Sequence, residues 1–190
     1  PHGPAPWINK NGKFVHGLDS NPKFTGEGYL DADYSYLPTR EEIKKIRVQL
    51  KSEGKKVVFT NGCFDILHKG HVDYLAKAAD KGDCLIVGIN TDFSVKRLGK
   101  SPSRPIQDEE ARAYLIAALE SVSYVVLFND ETPINLISTI LPHVLVKGAD
   151  YKPEAIVGYK EVVENGGRVE TIAFIDGYST TAIENKIKNA

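Results

Sequence analysis

The sequence predicts an open, doubly wound α/β domain, and two observations carry this prediction. Short apolar runs alternate with segments whose apolar residues return at helical spacing, so strands and helices follow one another in turn along the chain. This alternation favours parallel strands joined by crossover helices that cover both faces of one sheet. Polar segments come directly after the predicted strands, where such sheets bind their ligands. We therefore expect a five-stranded parallel sheet with a binding site at its carboxyl edge.

Each predicted element has its own signal in the sequence. Apolar runs predict strands at residues 57–59, 84–89, 124–128, 144–146 and 169–175. Thr39 and Glu42 form a capping-box pattern that begins the first helix. Thr132 is the predicted N-cap of a later helix with Pro133 at its first position, and Ser179 is the predicted N-cap of the last helix. Further helices are predicted after His71, Asn90, Asp108 and Gly158.

The composition of the chain changes near residue 38. Residues 39–190 contain all the predicted strands and helices and form the predicted Rossmann-like domain. Residues 1–38 hold half of the ten prolines, show no helical period, and form a predicted irregular extension. The extension also carries six aromatic residues: Trp7, Phe14, Phe24, Tyr29, Tyr34 and Tyr36. We expect these aromatics to pack along the domain or a partner subunit, since exposing all six would create a large apolar patch. A flexible tail is the alternative that the composition leaves open.

Charge and cysteine content limit the classes of function. The formal net charge of -1 argues against broad nucleic-acid binding. The chain has only two cysteines, Cys63 and Cys84, which argues against a disulfide framework and against a zinc cage. This cysteine content fits a protein of the reducing cytoplasm best. No apolar run is long enough to span a membrane, and no signal peptide is recognised. We expect a cytoplasmic protein that binds neither nucleic acid nor membrane.

Residues 60–71 are the centre of the predicted site, because they connect the first strand to the start of the next helix. Exposed backbone N–H groups and the helix dipole favour an anion at that position. Gly62 allows a ligand to approach the backbone closely. His68 and His71 lie three residues apart around the helix start, so both imidazoles can project to one side. This arrangement predicts a phosphate-binding site. The chain has neither a Walker lysine nor a Gly-x-Gly-x-x-Gly motif after a strand, so the predicted site is neither a P-loop nor a classical dinucleotide-binding site.

These motifs resemble those of the nucleotidyltransferase superfamily. Gly62-Cys63-Phe64-Asp65, followed by His68-Lys69-Gly70-His71, resembles the signature that contains His-x-Gly-His. Ser179-Thr180-Thr181 resembles the second signature of the superfamily, at the start of its last helix. The resemblance covers roughly residues 40 to 190 and is nearest to the adenylyltransferases that act on D-glycero-β-D-manno-heptose 1-phosphate. Further segments that carry it are 61–75, 90–92, 96–97, 104–105, 145–151 and 176–177.

The resemblance implies transfer of AMP from ATP to a sugar 1-phosphate, with ADP-heptose and pyrophosphate as products, as a step toward the lipopolysaccharide core. It implies catalytic roles for His68, His71 and Lys96. It implies nucleotide binding by Asn61, Gly62, Cys63, Phe64, Gly70, Asn90, Asp92, Ser179, Thr180 and Thr181. It implies substrate binding by Asp65, Arg104, Arg112, Lys147 and Asp150. Mg²⁺ is expected to arrive with ATP and to need no dedicated metal site in the protein.

Several roles have alternatives. Asp65 is expected to contact substrate, with metal binding or a loop-holding role as the other interpretations. Arg104 and Arg112 either bind the sugar phosphate or stabilise the neighbouring helix. Cys63 is interpreted as a small residue in a tight loop, because phosphoryl transfer to an ionised phosphate needs no covalent nucleophile. A separate sugar kinase and a homodimer are the expected partners.

Two other functions compete with this interpretation. The first is a cytidylyltransferase that acts on a small phosphorylated alcohol such as glycerol 3-phosphate. Such enzymes carry Arg-Thr a few residues before their Ser-Thr-Thr, and this chain has apolar or acidic residues there. The second is a catalytically idle nucleotide-binding module. The intact set of His68, His71, Lys96 and Ser179-Thr180-Thr181 argues against it.

Overall fold

Helices and strands follow one another from residue 40 to residue 188, and two helices in succession separate some of the strands. The structure is a computed structural model, and it describes residues 38–99, 103–149 and 152–189. All but the last residue of the predicted N-terminal extension lies outside the described residues, and so does Asp150. The strands are β1 (Val57–Gly62), β2 (Cys84–Asn90), β3 (Tyr124–Phe128), β4 (Val144–Gly148) and β5 (Arg168–Ile172). The helices are α1 (Arg40–Ser52), α2 (Lys69–Ala79), α3 (Asp92–Arg97), α4 (Glu109–Ala117), α5 (Ile134–Ile140), α6 (Tyr159–Glu164) and α7 (Thr180–Lys188), with a short 3-10 helix at Pro153–Ala155.

The strands form one parallel sheet in the order β3-β2-β1-β4-β5, which confirms the predicted fold class. β1 pairs with β2 from Val57↔Cys84 to Gly62↔Ile89. The order of the strands reverses between β1 and β4: the chain adds β2 and β3 on one side of β1, then crosses back and adds β4 and β5 on the other side. In open α/β sheets the crevice beyond the carboxyl ends at such a reversal is the preferred ligand site.

Apolar side chains cover both faces of the sheet. On one face, Val58 and Val87 belong to a buried cluster with Leu75 of α2 and Ile116 of α4. On the other face, Phe59 belongs to a second cluster, which α1, α5 and α6 complete with Ile43, Ile137 and Val162. Successive strand residues point to opposite faces, which is why adjacent residues of β1 serve different clusters. Strands buried in this way hold the loops at their ends in fixed positions.

Two predicted boundaries are wrong. Thr132 is not an N-cap: α5 begins at Ile134, and Pro133 occupies the cap position without a side-chain hydrogen bond. β5 ends at Ile172, three residues before the predicted end, because its neighbour β4 ends at Gly148, which pairs with Ile172. The capping box of Thr39 with Glu42 and the Ser179 cap are confirmed. Within the described part of the chain, no helix combines the length and the apolar character needed to cross a membrane.

Candidate active site

The loop after β1 has a shape that only small residues at its start permit. A Cβ at position 62 would lie 3.1 Å from the ring of Phe64, so Gly62 lets that ring fold back over the strand end. Phe64 itself has a positive φ of 49°, an unusual conformation for a residue with a side chain. A hydrogen bond of 2.8 Å between the hydroxyls of Thr60 and Tyr74 joins β1 to α2 below the loop. The backbone after β1 is therefore tightly bent and anchored on both sides.

His68 and His71 stack against each other at the start of α2. Their ring centroids lie 3.8 Å apart with an interplanar angle of 18°, which confirms that both imidazoles project to one side. The Phe64 ring meets His71 edge-on at 5.2 Å. A Cβ at position 70 would lie 3.1 Å from the His68 ring, so Gly70 leaves the space that the histidine occupies. The His-x-Gly-His spacing thus gives a compact pair of donors at a helix N-terminus.

Both histidines favour the neutral state. Burial, and to a smaller extent the neighbouring His68, lower the pKa of His71 from its ordinary value of 6.5 to about 4, although the backbone carbonyl of Ile66 acts in the opposite direction. Burial also lowers the pKa of His68. At neutral pH each ring therefore carries one N–H donor and no charge. Neutral donors can bind phosphate without the cost of burying two like charges side by side.

Asp65 holds a neighbouring loop. Its side chain is 2% exposed, and its Oδ1 accepts hydrogen bonds from the backbone N–H groups of Ile106 at 2.8 Å and Gln107 at 3.0 Å. Arg104 Nε lies 4.0 Å from Oδ2. Of the three interpretations of Asp65, these contacts favour the loop-holding one, because the carboxylate is already enclosed by residues 104–107.

Arg112 is fully buried beneath the same loop. Its exposed fraction is 0%, and its guanidinium donates to the backbone carbonyls of Cys63 at 2.7 Å and Gln107 at 3.0 Å and to Asp92 Oδ1 at 2.7 Å. No part of the side chain reaches the surface, so of the two interpretations of Arg112 these contacts favour the one in which it stabilises the neighbouring structure over direct contact with the sugar phosphate. Arg112 instead ties the β1 loop to α3.

The end of β2 is similarly organised by side chains. Asn90 is buried and donates to Ser94 Oγ at 2.9 Å, and Cys63 Sγ lies 3.8 Å from Asn90 Oδ1. The backbone N–H of Asp92 donates to Glu109 Oε2 at 2.6 Å. Asn90 and Asp92 thus lie beside the β1 loop, as predicted for residues of one site.

Lys147 crosses the gap between the two halves of the sheet. Its Nζ donates to the backbone carbonyl of Asn61 at 3.0 Å, so the end of β4 is joined to the end of β1 at the point where the strand order reverses. Lys147 is partly exposed. The side chain therefore places a positive charge at the crevice.

The start of α7 lies next to Arg104, another of the predicted substrate-binding residues. Ser179 Oγ accepts the N–H of Ala182, Thr180 is buried and Thr181 is exposed. Arg104 Nη2 donates to Glu184 Oε1 at 2.9 Å and lies 3.4 Å from Thr181 Oγ1. The structure thus brings Arg104, Asp65 and α7 together.

Lys96, which was predicted to act on the triphosphate, is exposed on α3.

The comparisons with known proteins agree with this geometry. A family model described as cytidylyltransferase-like matches residues 59–186, which include most of β1, the histidine pair and the start of α7. The chain belongs to the cytidylyltransferase-like family. A crystal structure of the lipopolysaccharide core biosynthesis protein from Thermoplasma volcanium resembles this cytidylyltransferase-like chain with a TM-score of 0.54 and 30% identity, covering 66% of this chain and 100% of that one.

Two curated relatives of this cytidylyltransferase-like chain are bifunctional proteins. The bifunctional protein HldE of Geotalea uraniireducens is 58% identical over 164 residues, which cover 86% of this chain and 33% of that protein. HldE of Aliarcobacter butzleri is 46% identical over 181 residues, which cover 95% of this chain and 37% of that protein. The chain therefore spans about a third of the length of the curated relatives that it matches.

Sequence reasoning missed two residues of the candidate site in this cytidylyltransferase-like chain. Glu184 pairs with Arg104, and Tyr178 lies against the start of α2, with its ring 5.4 Å from Lys69 Nζ and its Cβ within 3.2 Å of where a Cβ of residue 70 would be. Both residues flank Ser179-Thr180-Thr181 in sequence, and that proximity was the available signal. Among residues 38–99, 103–149 and 152–189, no group of three or more His, Cys, Asp or Glu side chains is placed to hold a metal ion.

Acid is expected to destabilise the domain through His71. The unfolded chain binds a proton near the ordinary pKa of 6.5, whereas folded His71 stays neutral until about pH 4. Unfolding therefore takes up a proton in this window, and the stability contributed by neutral His71 is lost as the pH falls from 6.5 toward 4. Thermal melts at pH 7.5 and pH 5 test this: His71→Asn should lose less stability on acidification than the unsubstituted chain. Equal losses would contradict the burial of a neutral His71.

Proposed function

We propose that the chain transfers AMP from MgATP to a sugar 1-phosphate, specifically D-glycero-β-D-manno-heptose 1-phosphate. The products are ADP-heptose and pyrophosphate, and the step serves synthesis of the lipopolysaccharide core in the cytoplasm. The observation that carries the proposal is the stacked, neutral His68–His71 pair at the start of α2, beside the reversal point of a parallel sheet. The bifunctional HldE relatives and the lipopolysaccharide core biosynthesis structure support the choice of sugar.

The reaction is a direct displacement at phosphorus. An oxygen of the sugar 1-phosphate attacks the α-phosphorus of ATP, a new P–O bond forms, and the bond from the α-phosphorus to the bridging oxygen of pyrophosphate breaks. The nucleophile is already ionised, so the protein has to align the two substrates and stabilise the charge that moves onto pyrophosphate. No covalent enzyme intermediate is required, and Cys63 serves as a small residue in the loop.

Three parts of the site are proposed to bind the phosphates of the nucleotide. His68 and His71 donate hydrogen bonds to the phosphates as negative charge develops on the leaving group. The start of α7, with Ser179, Thr180 and Thr181, binds the β- and γ-phosphates through its N–H groups and hydroxyls. Lys96 adds a mobile positive charge to the triphosphate. Asn61, Gly62, Gly70, Asn90 and Asp92 shape the nucleotide pocket around the end of β1.

Arg104 and Lys147 are the proposed contacts for the sugar phosphate. Arg104 lies between Asp65 and α7, and Lys147 lies at the end of β4, so the two cations approach the crevice from different sides. Asp150 follows the same strand in sequence and is proposed to bind the sugar. Mg²⁺ enters as part of MgATP. A sugar kinase must supply the 1-phosphate, and a homodimer is the proposed assembly.

ATP is expected to be the preferred nucleotide. With heptose 1-phosphate as acceptor, kcat/KM for ATP should exceed that for CTP and GTP by about a hundredfold or more, since a pocket that hydrogen-bonds one base leaves polar groups unpaired with another. The measurement is pyrophosphate release with each nucleotide against heptose 1-phosphate, glucose 1-phosphate and glycerol 3-phosphate. A chain lacking both histidines provides the blank. Faster turnover with CTP and glycerol 3-phosphate would replace this proposal with the cytidylyltransferase alternative.

A further inference from the structure

The contact between Arg112 and the Cys63 carbonyl fixes the orientation of one peptide group in the phosphate loop. Arg112 Nη1 donates to this carbonyl at 2.7 Å, and the Cys63–Phe64 peptide bond is trans. In a trans peptide the C=O and the following N–H point in opposite directions. The N–H of Phe64 therefore points away from Arg112 and α4, toward the side of the loop that α4 does not cover.

The N–H of Phe64 is available to a ligand. Within the described residues it donates no hydrogen bond, although the Phe64 side chain is buried. Phe64 has a positive φ of 49°, a conformation that a residue with a side chain keeps only when its surroundings impose it. The hydrogen bond from Arg112 to the preceding carbonyl is one such constraint, and the edge-on contact of the Phe64 ring with His71 is another.

The Arg112 guanidinium is itself fixed from three directions. Besides the Cys63 carbonyl, it donates to the Gln107 carbonyl at 3.0 Å and to Asp92 Oδ1 at 2.7 Å. Glu109 Oε2 accepts the backbone N–H of Asp92 and so holds the residue that carries the counter-charge. A planar guanidinium that donates to these three acceptors is held in one orientation, and the single ammonium group of a lysine cannot make the same set of hydrogen bonds. The burial of Arg112 keeps water from competing for these acceptors.

We infer that Arg112 is a positioning residue that aims the N–H of Phe64 at the α-phosphate of the nucleotide. It acts through the Cys63–Phe64 peptide and touches no substrate. The inference rests on the proposed function for the identity of the ligand, since it places Phe64 N–H among the donors that stabilise the displacement at phosphorus. It also explains why a fully buried arginine lies under a loop that binds anions.

The test compares Arg112→Lys with Arg47→Lys. Arg47 is a matched control, because it also holds two backbone carbonyls, those of Ile140 and Leu141, at the opposite end of the sheet. Arg112→Lys should lower kcat about tenfold or more while the KM for sugar 1-phosphate changes by less than about threefold. Arg47→Lys should leave kcat unchanged. Wild-type kcat in a folded Arg112→Lys variant would overturn the inference.

Two NMR measurements do not depend on any variant folding or on turnover. In the wild-type protein, the Phe64 amide resonance should shift on addition of MgATP, and the Arg112 Nη protons should stay individually resolved before and after. An unmoved Phe64 amide in a protein that binds MgATP, or averaged Arg112 protons, would overturn the inference. If pyrophosphate is never released but both signals behave as expected, the proposed reaction fails and the positioning role of Arg112 stands.

Discussion

Replacing His71 with alanine should lower kcat about a hundredfold to a thousandfold, the usual effect of losing one preorganised donor in a water-poor site. ATP affinity should fall much less, because the hydrogen bond strengthens as charge moves onto pyrophosphate in the transition state. The domain should stay folded, since His71 is only partly buried and is absent from both apolar clusters. His68→Ala should behave alike. The double variant should be less impaired than the product of the single effects, because the stacked rings act on one phosphate array.

Two measurements on the same folded variants separate the effect on ATP binding from the effect on catalysis. Calorimetry gives the affinity for ATP, and pyrophosphate release gives kcat. His143→Ala is the matched control: His143 lies at the opposite end of the sheet, where its Nδ1 accepts the N–H of Val57 at 2.8 Å. Its loss should reduce stability and leave kcat intact. If His71→Ala abolishes ATP binding but keeps kcat at saturation, the histidines are ground-state ligands and the proposed mechanism is wrong.

Replacing Asp65 with alanine should give the largest loss of stability among the site residues, about 2–3 kcal/mol in the free energy of unfolding. The change removes the acceptor for two backbone N–H groups, those of Ile106 and Gln107, and the carboxylate oxygen that lies 4.0 Å from Arg104 Nε. Asp65→Asn keeps an oxygen for those N–H groups and should lose less. Urea denaturation of the three proteins measures the differences.

Asp108→Ala is the matched control for Asp65→Ala. Asp108 accepts one backbone N–H, that of Ala111, as the N-cap of α4, and its loss should reduce stability by about 1 kcal/mol. Equal destabilisation by the two alanine substitutions would show that Asp65 does not hold the loop. In that case the original expectation of a substrate contact for Asp65 would regain support.

The sequence predicted those features that depend on local pattern. The alternation of strands and helices gave the parallel sheet, and a spacing of three residues gave the shared side of His68 and His71. The Ser179 cap followed from its position before an amphipathic segment. The signal for each of these features lies within short segments of the sequence, where periodicity and capping rules apply.

Other features depended on partners far away in the chain. Asp65 meets the N–H of Ile106 across 41 positions, and Arg112 meets the Cys63 carbonyl across 49, so no local pattern distinguishes these residues from substrate ligands. The early end of β5 likewise depends on where β4 stops. A charged residue in a family motif can either hold a neighbouring loop in place or bind a ligand. The burial of its side chain distinguishes the two roles.

The stereochemical course at the α-phosphorus tests the central claim most directly. The substrate is one diastereomer of ATP with sulfur in place of an α-phosphate oxygen, supplied with Mg²⁺ and heptose 1-phosphate. A single in-line displacement by the sugar phosphate predicts inversion of configuration in the ADP-heptose analogue. Retention would reveal two displacements and a covalent intermediate on the protein, with Cys63 as the first residue to examine. Retention, or the absence of a nucleotide-linked sugar, would contradict direct adenylyl transfer.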